Sequence, residues 1–321
     1  MSIAKRLKII SNNYLSISKK FQKKLAADFL SDKPLSLNIN FTLSVSIIIP
    51  AHNSANTILK VLLSLNTQVL LEEERKLIEI IIVDDGSTDN TSKEVLKFKS
   101  LFVLKYIKQI NMGRSIAKNR GVFESKGKII IFLNADVIPD PYFIREHLIR
   151  HEVSKKLVLI SFQESVKTLS FQSIKEGLCK PKINQDFRFE RNLTEEWLEP
   201  HRPIKNVETR VFKILDETDD FRDFGHDRIV GFWDLPSMVI PNGMSLRRVE
   251  FEKVGGFNTK FKGWGMEDTF FGACLIVNKN YIVPVFSTGV YHIKHTPRSG
   301  SRKALVKEYM KNVKIYQKLI N

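Results

Sequence analysis

The sequence predicts an α/β fold, with a mostly parallel central sheet carrying helices on both faces. Two observations predict it. Between residues 44 and 133 short apolar runs alternate with stretches of helical periodicity, and polar, acidic residues follow three of those runs. Buried parallel strands read as continuous apolar runs, because helices cover both faces of their sheet. In such sheets ligands bind beyond the carboxyl ends of the strands, so the residues just after each run are candidates for a site.

The elements follow in order. Residues 1–40 read as a basic amphipathic helical arm, in which Lys5, Arg6, Lys8, Lys19, Lys20, Lys23 and Lys24 interleave with Ile9, Ile10, Leu15, Ile17, Phe21, Leu25, Phe29 and Leu30. Such an arm either lies on an anionic membrane or a partner, or packs on the main domain with its lysines in water. Val45 to Ile49 reads as a buried strand stopped by Pro50, and 55–66 as a helix. Strands at 77–83, 101–107 and 128–133 alternate with helices at 89–99 and 112–126. Residues 161–235 are irregular and aromatic, with Phe187, Phe189, Trp197, Phe221, Phe224, Phe232 and Trp233, and read as the wall of a substrate cleft. A short helix at 246–254, a helix at 267–278 and strands at 281–285 and 288–291 follow. Residues 296–321 form a second basic helix, with Arg302, Lys303, Lys307, Lys311, Lys314 and Lys318 set around Leu305, Val306, Tyr309, Val313, Ile315 and Leu319.

Composition narrows the function classes. The chain has 321 residues with 43% hydrophobic content, enough for one large core or two modest ones, which excludes disordered and fibrous classes. Lys and Arg number 51 against 35 acidic residues, a net charge of +16 that favours polyanionic partners. The basic residues concentrate at the two ends and no nucleic-acid motif is present, so nucleic acid is not expected as a partner. Two distant cysteines, Cys179 and Cys274, lack metal-type spacing and fit a reducing cytoplasm. No apolar run is long enough to span a bilayer. The expected location is cytoplasmic, with peripheral association at the inner face of an anionic membrane through the basic ends.

The candidate site residues lie after the strands. Pro50-Ala51-His52-Asn53 follows the first, Asp84-Asp85-Gly86-Ser87-Thr88-Asp89 the second and Asn134-Ala135-Asp136 the fourth. Each has a structural account as turn or cap chemistry. Carboxylates gathered at one sheet edge, however, repel each other unless a cation sits among them, and hard divalent cations take oxygen ligands. Farther on, Gly263-Trp264-Gly265-Met266-Glu267-Asp268 sets an aromatic and two carboxylates where a glycine-rich turn enters a helix. Acids in a first helical turn also answer the unpaired N–H groups there.

The ordered motifs SIIIPAHN, IIIVDDGSTDNT, NMGRSIAKNRG and IIIFLNAD resemble the inverting glycosyltransferases of family 2, whose fold is called GT-A. VIPNGMSLRR, VGGFNTKFKGWGMEDTFFG and VYHIKH resemble the carboxyl-terminal part of family 7 galactosyltransferases and bacterial chondroitin-type polymerases. The resemblance covers roughly 44–295 apart from the irregular middle. It implies a nucleotide-sugar and metal-binding half at 41–160 and a catalytic and acceptor half at 236–295.

Residue by residue, the resemblance implies that His52 sits where an aromatic covers the uracil, beside Pro50 and Asn53. Asp85, with Asp84 before it, would bond the uracil imide, and Asp136 is the last acid of the metal-binding motif. Asn134 departs from that motif, supplying an amide where the family has an acid. A histidine after the last strand would complete the shell of Mn²⁺ or Mg²⁺. His292 fits the polymerase-like pattern and His295 the galactosyltransferase spacing. Arg114 and Lys118 border the donor site, Lys118 standing where Arg is usual. Asp268 would be the general base and Glu267 would hold a hydroxyl, while Trp264 would offer a flat apolar face to a sugar ring and Gly265 would border the donor. The implied activity is metal-dependent transfer of a hexose or N-acetylhexosamine from a UDP-sugar to a glycan or glycolipid hydroxyl. A peptide acceptor, or a non-catalytic protein that binds sugar nucleotides or glycans, is the alternative.

Overall fold

The computed structural model describes residues 1–7, 9–10, 12–36, 38–181, 235–294 and 302–321. The aromatics named between 187 and 233, and His295, lie outside the described residues. The first strands are β1 (Val45–Ala51), β2 (Ile78–Asp85), β3 (Val103–Gln109) and β4 (Ile129–Phe132). They pair in parallel, β1 taking β2 on one side and β4 on the other. Alternation explains their unbroken apolar character. Ile47, Ile49, Ile80, Ile82, Ile129 and Ile131 belong to one core, and Ile48, Ile81, Val83, Ile130 and Phe132 to the other. Pro50 does not stop β1, which continues to Ala51. The Ile48 carbonyl accepts from Leu133, so Pro50, two residues on, points its missing N–H to the side where β4 has ended.

Beyond β4 the parallel pattern gives way. The order among described residues is β3-β2-β1-β4-β7-β6-β8-β5. Here β7 (Met244–Arg247) runs antiparallel to both β4 and β6 (Leu157–Val166). The strands expected at 281–285 and 288–291 are one, β8 (Tyr281–Ile293), whose register against β6 jumps from Val285 to Gly289. Next, β5 (Val137–Pro139) closes the edge against β8, setting Val137 opposite His292. The sheet is therefore mixed: β3, β2, β1 and β4 run parallel, as do β6 and β8, and the antiparallel β5 and β7, of three and four residues, break the pattern.

Flanking helices include α1 (Ile3–Leu7), α2 (Leu15–Leu25), α3 (Ile58–Asn66), α4 (Glu72–Arg75), α5 (Thr91–Lys97) and α6 (Arg114–Phe123). Every residue of the next, α7 (Phe143–His151), is buried, although it carries Arg145, Glu146, His147, Arg150 and His151. It lies between the sheet and the amino-terminal arm, and each charge is answered. Arg145 pairs with Glu74, Arg150 with Glu146 at 2.8 Å, and Glu146 accepts the Leu35 N–H at 2.7 Å. The Arg150 guanidinium also bonds the Phe29 carbonyl and faces the Phe21 and Phe29 rings. Much of the arm's apolar side is thus spent inside the protein, with Tyr14, Ile17, Phe21 and Phe29 buried and Lys19, Lys20, Lys23 and Lys24 left outside, while Ile9 and Leu15 stay exposed. The arm packs on the main domain through these buried residues.

Toward the sheet, His147 bonds Ser245 at 2.8 Å and Ser161 at 2.7 Å, and His151 bonds Ser245 at 2.8 Å. Burial pushes His147 well down and His151 down to about 3, with Arg247 adding to the effect on His151. Both histidines are neutral in the fold, whereas the unfolded chain protonates them near pH 6.5. Their contribution is present above that pH and is lost as pH falls, by about 1.4 kcal/mol per pH unit for each histidine. The variant His151→Gln should show a shallower fall in urea stability between pH 6.5 and 5 than the wild type. Equal slopes would remove the argument.

The remaining helices are α8 (Phe171–Glu176), α9 (Leu235–Met238), α10 (Arg248–Lys253), α11 (Glu267–Val277) and α12 (Arg302–Ile320). Among described residues, no helix is long and apolar enough to cross a membrane.

Candidate active site

The turn after β2 meets the turn after β1. His52 Nδ1 donates to the Asp85 carbonyl at 2.8 Å, which leaves Nε2 as an acceptor for the neighbouring Asn53 and Asn111 amides. Asn53, held at φ 49°, takes the Thr88 N–H on its side-chain oxygen at 2.8 Å and gives its own N–H to Ser87. Asp85 accepts from Gln109, Met112 N–H and Gly113 N–H, each at 2.8 Å, and so shapes the loop that enters α6. Asp84 faces inward rather than toward a ligand: it is fully buried, bonded to Ser87 N–H at 2.7 Å and to the Tyr106 hydroxyl. Burial and that carboxylate push the Tyr106 hydroxyl up to about 12.

A tight turn follows β4, in which Val137 N–H bonds the Asn134 carbonyl and Thr57 bonds that of Ala135 at 2.6 Å. Because β5 pairs with β8, Asp136 comes beside His292, with Oδ2 and Nε2 3.8 Å apart. An oxygen and an imidazole nitrogen this close could share one divalent cation. Both side chains are partly exposed. Asn134 Oδ1 is buried without a hydrogen-bond partner among the described residues, an oxygen suited to bonding a water or hydroxyl at the same place. Among described residues no group of three His, Cys, Asp or Glu converges, so a cation held by these two side chains would have to complete its shell with other oxygen ligands. The donor set of Asp136 and His292 fits a divalent cation.

Across the site, α6 is fastened to the start of α11. Arg114 and Lys118, four apart and therefore on one helix face, reach consecutive carboxylates. Arg114 lies 3.4 Å from Glu267 and donates to the Gly263 carbonyl; Lys118 Nζ lies 2.9 Å from Asp268 Oδ1. The next residue, Asn119, exchanges two bonds with the Phe257 backbone, at 2.8 and 2.9 Å. Lys118 is buried over the Phe257 ring, 4.5 Å from its centre. A lysine suits this position, since a single ammonium tip fits between ring and carboxylate without the breadth of a guanidinium.

The two carboxylates differ. Glu267 is buried and its Oε2 finds no hydrogen-bond partner among the described residues, whereas the Asp268 side chain is 27% exposed. Burial pushes the Glu267 carboxyl up, Asp268 adds to the rise, and Arg114 and Lys118 oppose it. Arg114 is itself held charged, by Glu267 foremost and also by Asp268, Asp136 and Glu308. One guanidinium therefore faces the acids of both half-sites.

The profile described as glycosyl transferase family 2 matches residues 46–207, half of the chain. The chain belongs to glycosyltransferase family 2. A second profile, described as the N-terminal domain of galactosyltransferase, matches residues 242–296, which hold β7, Glu267, Asp268 and β8. The glycosyltransferase YfnE of Bacillus subtilis (strain 168) is 28% identical over 240 residues, 70% of this chain and 58% of YfnE. A chondroitin synthase of Escherichia coli is 25% identical over 260 residues, 77% of this chain and 34% of that protein. The chain thus spans between a third and three fifths of the length of these relatives. A crystal structure of GalNAc-T7 with UDP, GalNAc and Mn²⁺ matches with a TM-score of 0.57 at 16% identity, over 87% of this chain and 49% of that one. The fold is GT-A.

This family 2 chain brings together most of the residues singled out in its sequence. His52, Asn53 and Asp85 lie in one cluster, Asp136 and His292 in a second, and Arg114, Lys118, Glu267 and Asp268 in a third. Sequence reasoning missed Glu308. The signal was available: it is the sole acid of α12, a helix with six basic residues.

Proposed function

We propose that this family 2 chain transfers a hexose or N-acetylhexosamine from a UDP-sugar to a glycan hydroxyl, inverting the anomeric carbon in one displacement. The observation that carries this reading is the Asp268 carboxylate, exposed on one edge, gripped by Lys118 on the other, and joined through Arg114 to the Asp136 side of the site. In the proposed step Asp268 takes the acceptor hydroxyl's proton as that oxygen bonds to the anomeric carbon. The bond from this carbon to the phosphate oxygen breaks, and UDP leaves with the electron pair. Glu267, held beside Arg114, orients a hydroxyl, and Trp264 offers an apolar face to a sugar ring. Asp136 and His292 would hold Mn²⁺ or Mg²⁺, which when bound neutralises charge on the departing diphosphate. His52 and the 84–89 turn border the uracil. Exposed lysines on α2 and α12 support peripheral contact with anionic headgroups at a cytoplasmic face.

The test is a panel of UDP-glucose, UDP-galactose, UDP-N-acetylglucosamine and UDP-N-acetylgalactosamine with Mn²⁺. At least one donor should raise the thermal midpoint and release UDP. At 100 times its Kd a ligand stabilises the folded state by about 2.7 kcal/mol. No stabilisation and no UDP release with any donor would overturn the reading.

A further inference from the structure

We infer that Glu308 and Asn312 of α12 are positioning residues that hold the turn at 262–266, and through it Glu267 and Asp268, in the geometry that transfer needs. The inference rests on the reading of Asp268 as base.

This turn has little of its own to hold it. Gly263, Gly265 and Met266 all lie in the left-handed region, at φ 74°, 93° and 70°. For Met266, which carries a Cβ, that conformation costs about 1–2 kcal/mol. Met266 is also the residue that precedes α11, and no side chain caps the helix there. A strained, uncapped entry keeps its shape only where the surroundings determine it.

Side chains of α12 supply that determination. Glu308 Oε2 accepts the Trp264 N–H at 2.9 Å. Asn312, fully buried, donates to the Lys262 carbonyl at 2.9 Å and to the Trp264 carbonyl at 3.1 Å. Tyr309 lies between them in sequence and packs its ring on Trp264, with centroids 5.3 Å apart. The fit leaves no slack. A Cβ at Gly263 would fall 2.5 Å from the Glu308 carboxylate, and one at Gly265 2.5 Å from the Tyr309 ring. Gly265 is therefore needed for the Tyr309 ring to approach, and Gly263 for Glu308 to keep its place at the Trp264 N–H, as well as for their backbone angles. Glu308 is charge-matched too, since Arg114 donates to the Gly263 carbonyl beside it and feels its field. The outward side of α12 carries exposed Lys303, Lys307, Lys311, Lys314 and Lys318, so the single acid of the helix is turned inward to the site.

The test compares Glu308→Ala, Glu308→Gln and Asn312→Ala with the wild type, measuring UDP affinity and transfer kinetics separately. A misplacement near 1 Å at a reacting centre can cost on the order of 10²-fold. Glu308→Ala and Asn312→Ala should keep UDP affinity within about threefold while kcat falls about 10- to 100-fold. Glu308→Gln, which retains an oxygen acceptor for the Trp264 N–H, should recover most of kcat. Where Glu308→Ala does not fold, Glu308→Asp, one methylene shorter, should show the same split. Unchanged kcat in the alanine variants would overturn the inference, as would loss of UDP affinity in step with kcat, because a general structural role predicts that. Absence of transfer by the wild type would instead overturn the reading of the site, and this inference with it.

Discussion

Replacing Asp268 by asparagine should leave UDP binding near the wild-type level and lower the rate of transfer by about 10²–10⁴-fold, the usual contribution of a positioned base. Asparagine keeps the size of the side chain, and its oxygen can still accept from Lys118, which lies 2.9 Å from Oδ1 in the native site. What it loses is the capacity to take a proton. The neighbouring Glu267 cannot replace it, because that side chain is buried while Asp268 is the carboxylate open to an arriving hydroxyl. Single-turnover rates with saturating donor separate the two effects. A variant with normal turnover would exclude Asp268 as the base; one that loses UDP binding would show that the Lys118 pair serves the donor side.

Cutting Glu74 to alanine should destabilise the chain by about 3–5 kcal/mol, the range for removing one partner of a buried ion pair. Arg145 is fully buried and reaches Glu74 from α7, so the deletion strands a guanidinium away from water. Its remaining bonds, to the carbonyls of Ser36 and Ile39, do not neutralise its charge. Glu74 also accepts the Leu71 N–H at 2.9 Å, so the turn before α4 is loosened in the same step. Urea titration followed by circular dichroism measures the change. A loss below about 1 kcal/mol would show that the pair behaves as a solvated surface bridge.

How much of this was legible in the sequence depended on how each signal is written. β1, β2 and β4 were read nearly to the residue, because strands covered on both faces leave unbroken runs such as Ile47-Ile48-Ile49 and Ile80-Ile81-Ile82. The polar residues at their ends marked the site for the same reason. β5 and β7 carry three and four residues, too few for any periodicity to declare itself, and they make the sheet mixed. α7 was not read because its Arg, Glu and His residues look like a solvent face. They are buried because the amino-terminal arm, 111 positions away in the case of Glu146 and Leu35, supplies partners that no local window contains. Asp85 was found by its motif, yet its bonds to Met112 and Gly113 needed the fold. Glu308 stayed hidden because its context, a lysine-rich helix, spoke for a surface.

The fastening of α6 to α11 has a mechanical consequence. Arg114, Lys118 and Asn119 join one rigid rod to three points between Phe257 and Asp268, while the same rod begins at the Gly113 N–H held by Asp85. A shift of the turn after β2 is therefore carried through α6 as a shift of the Glu267–Asp268 corner.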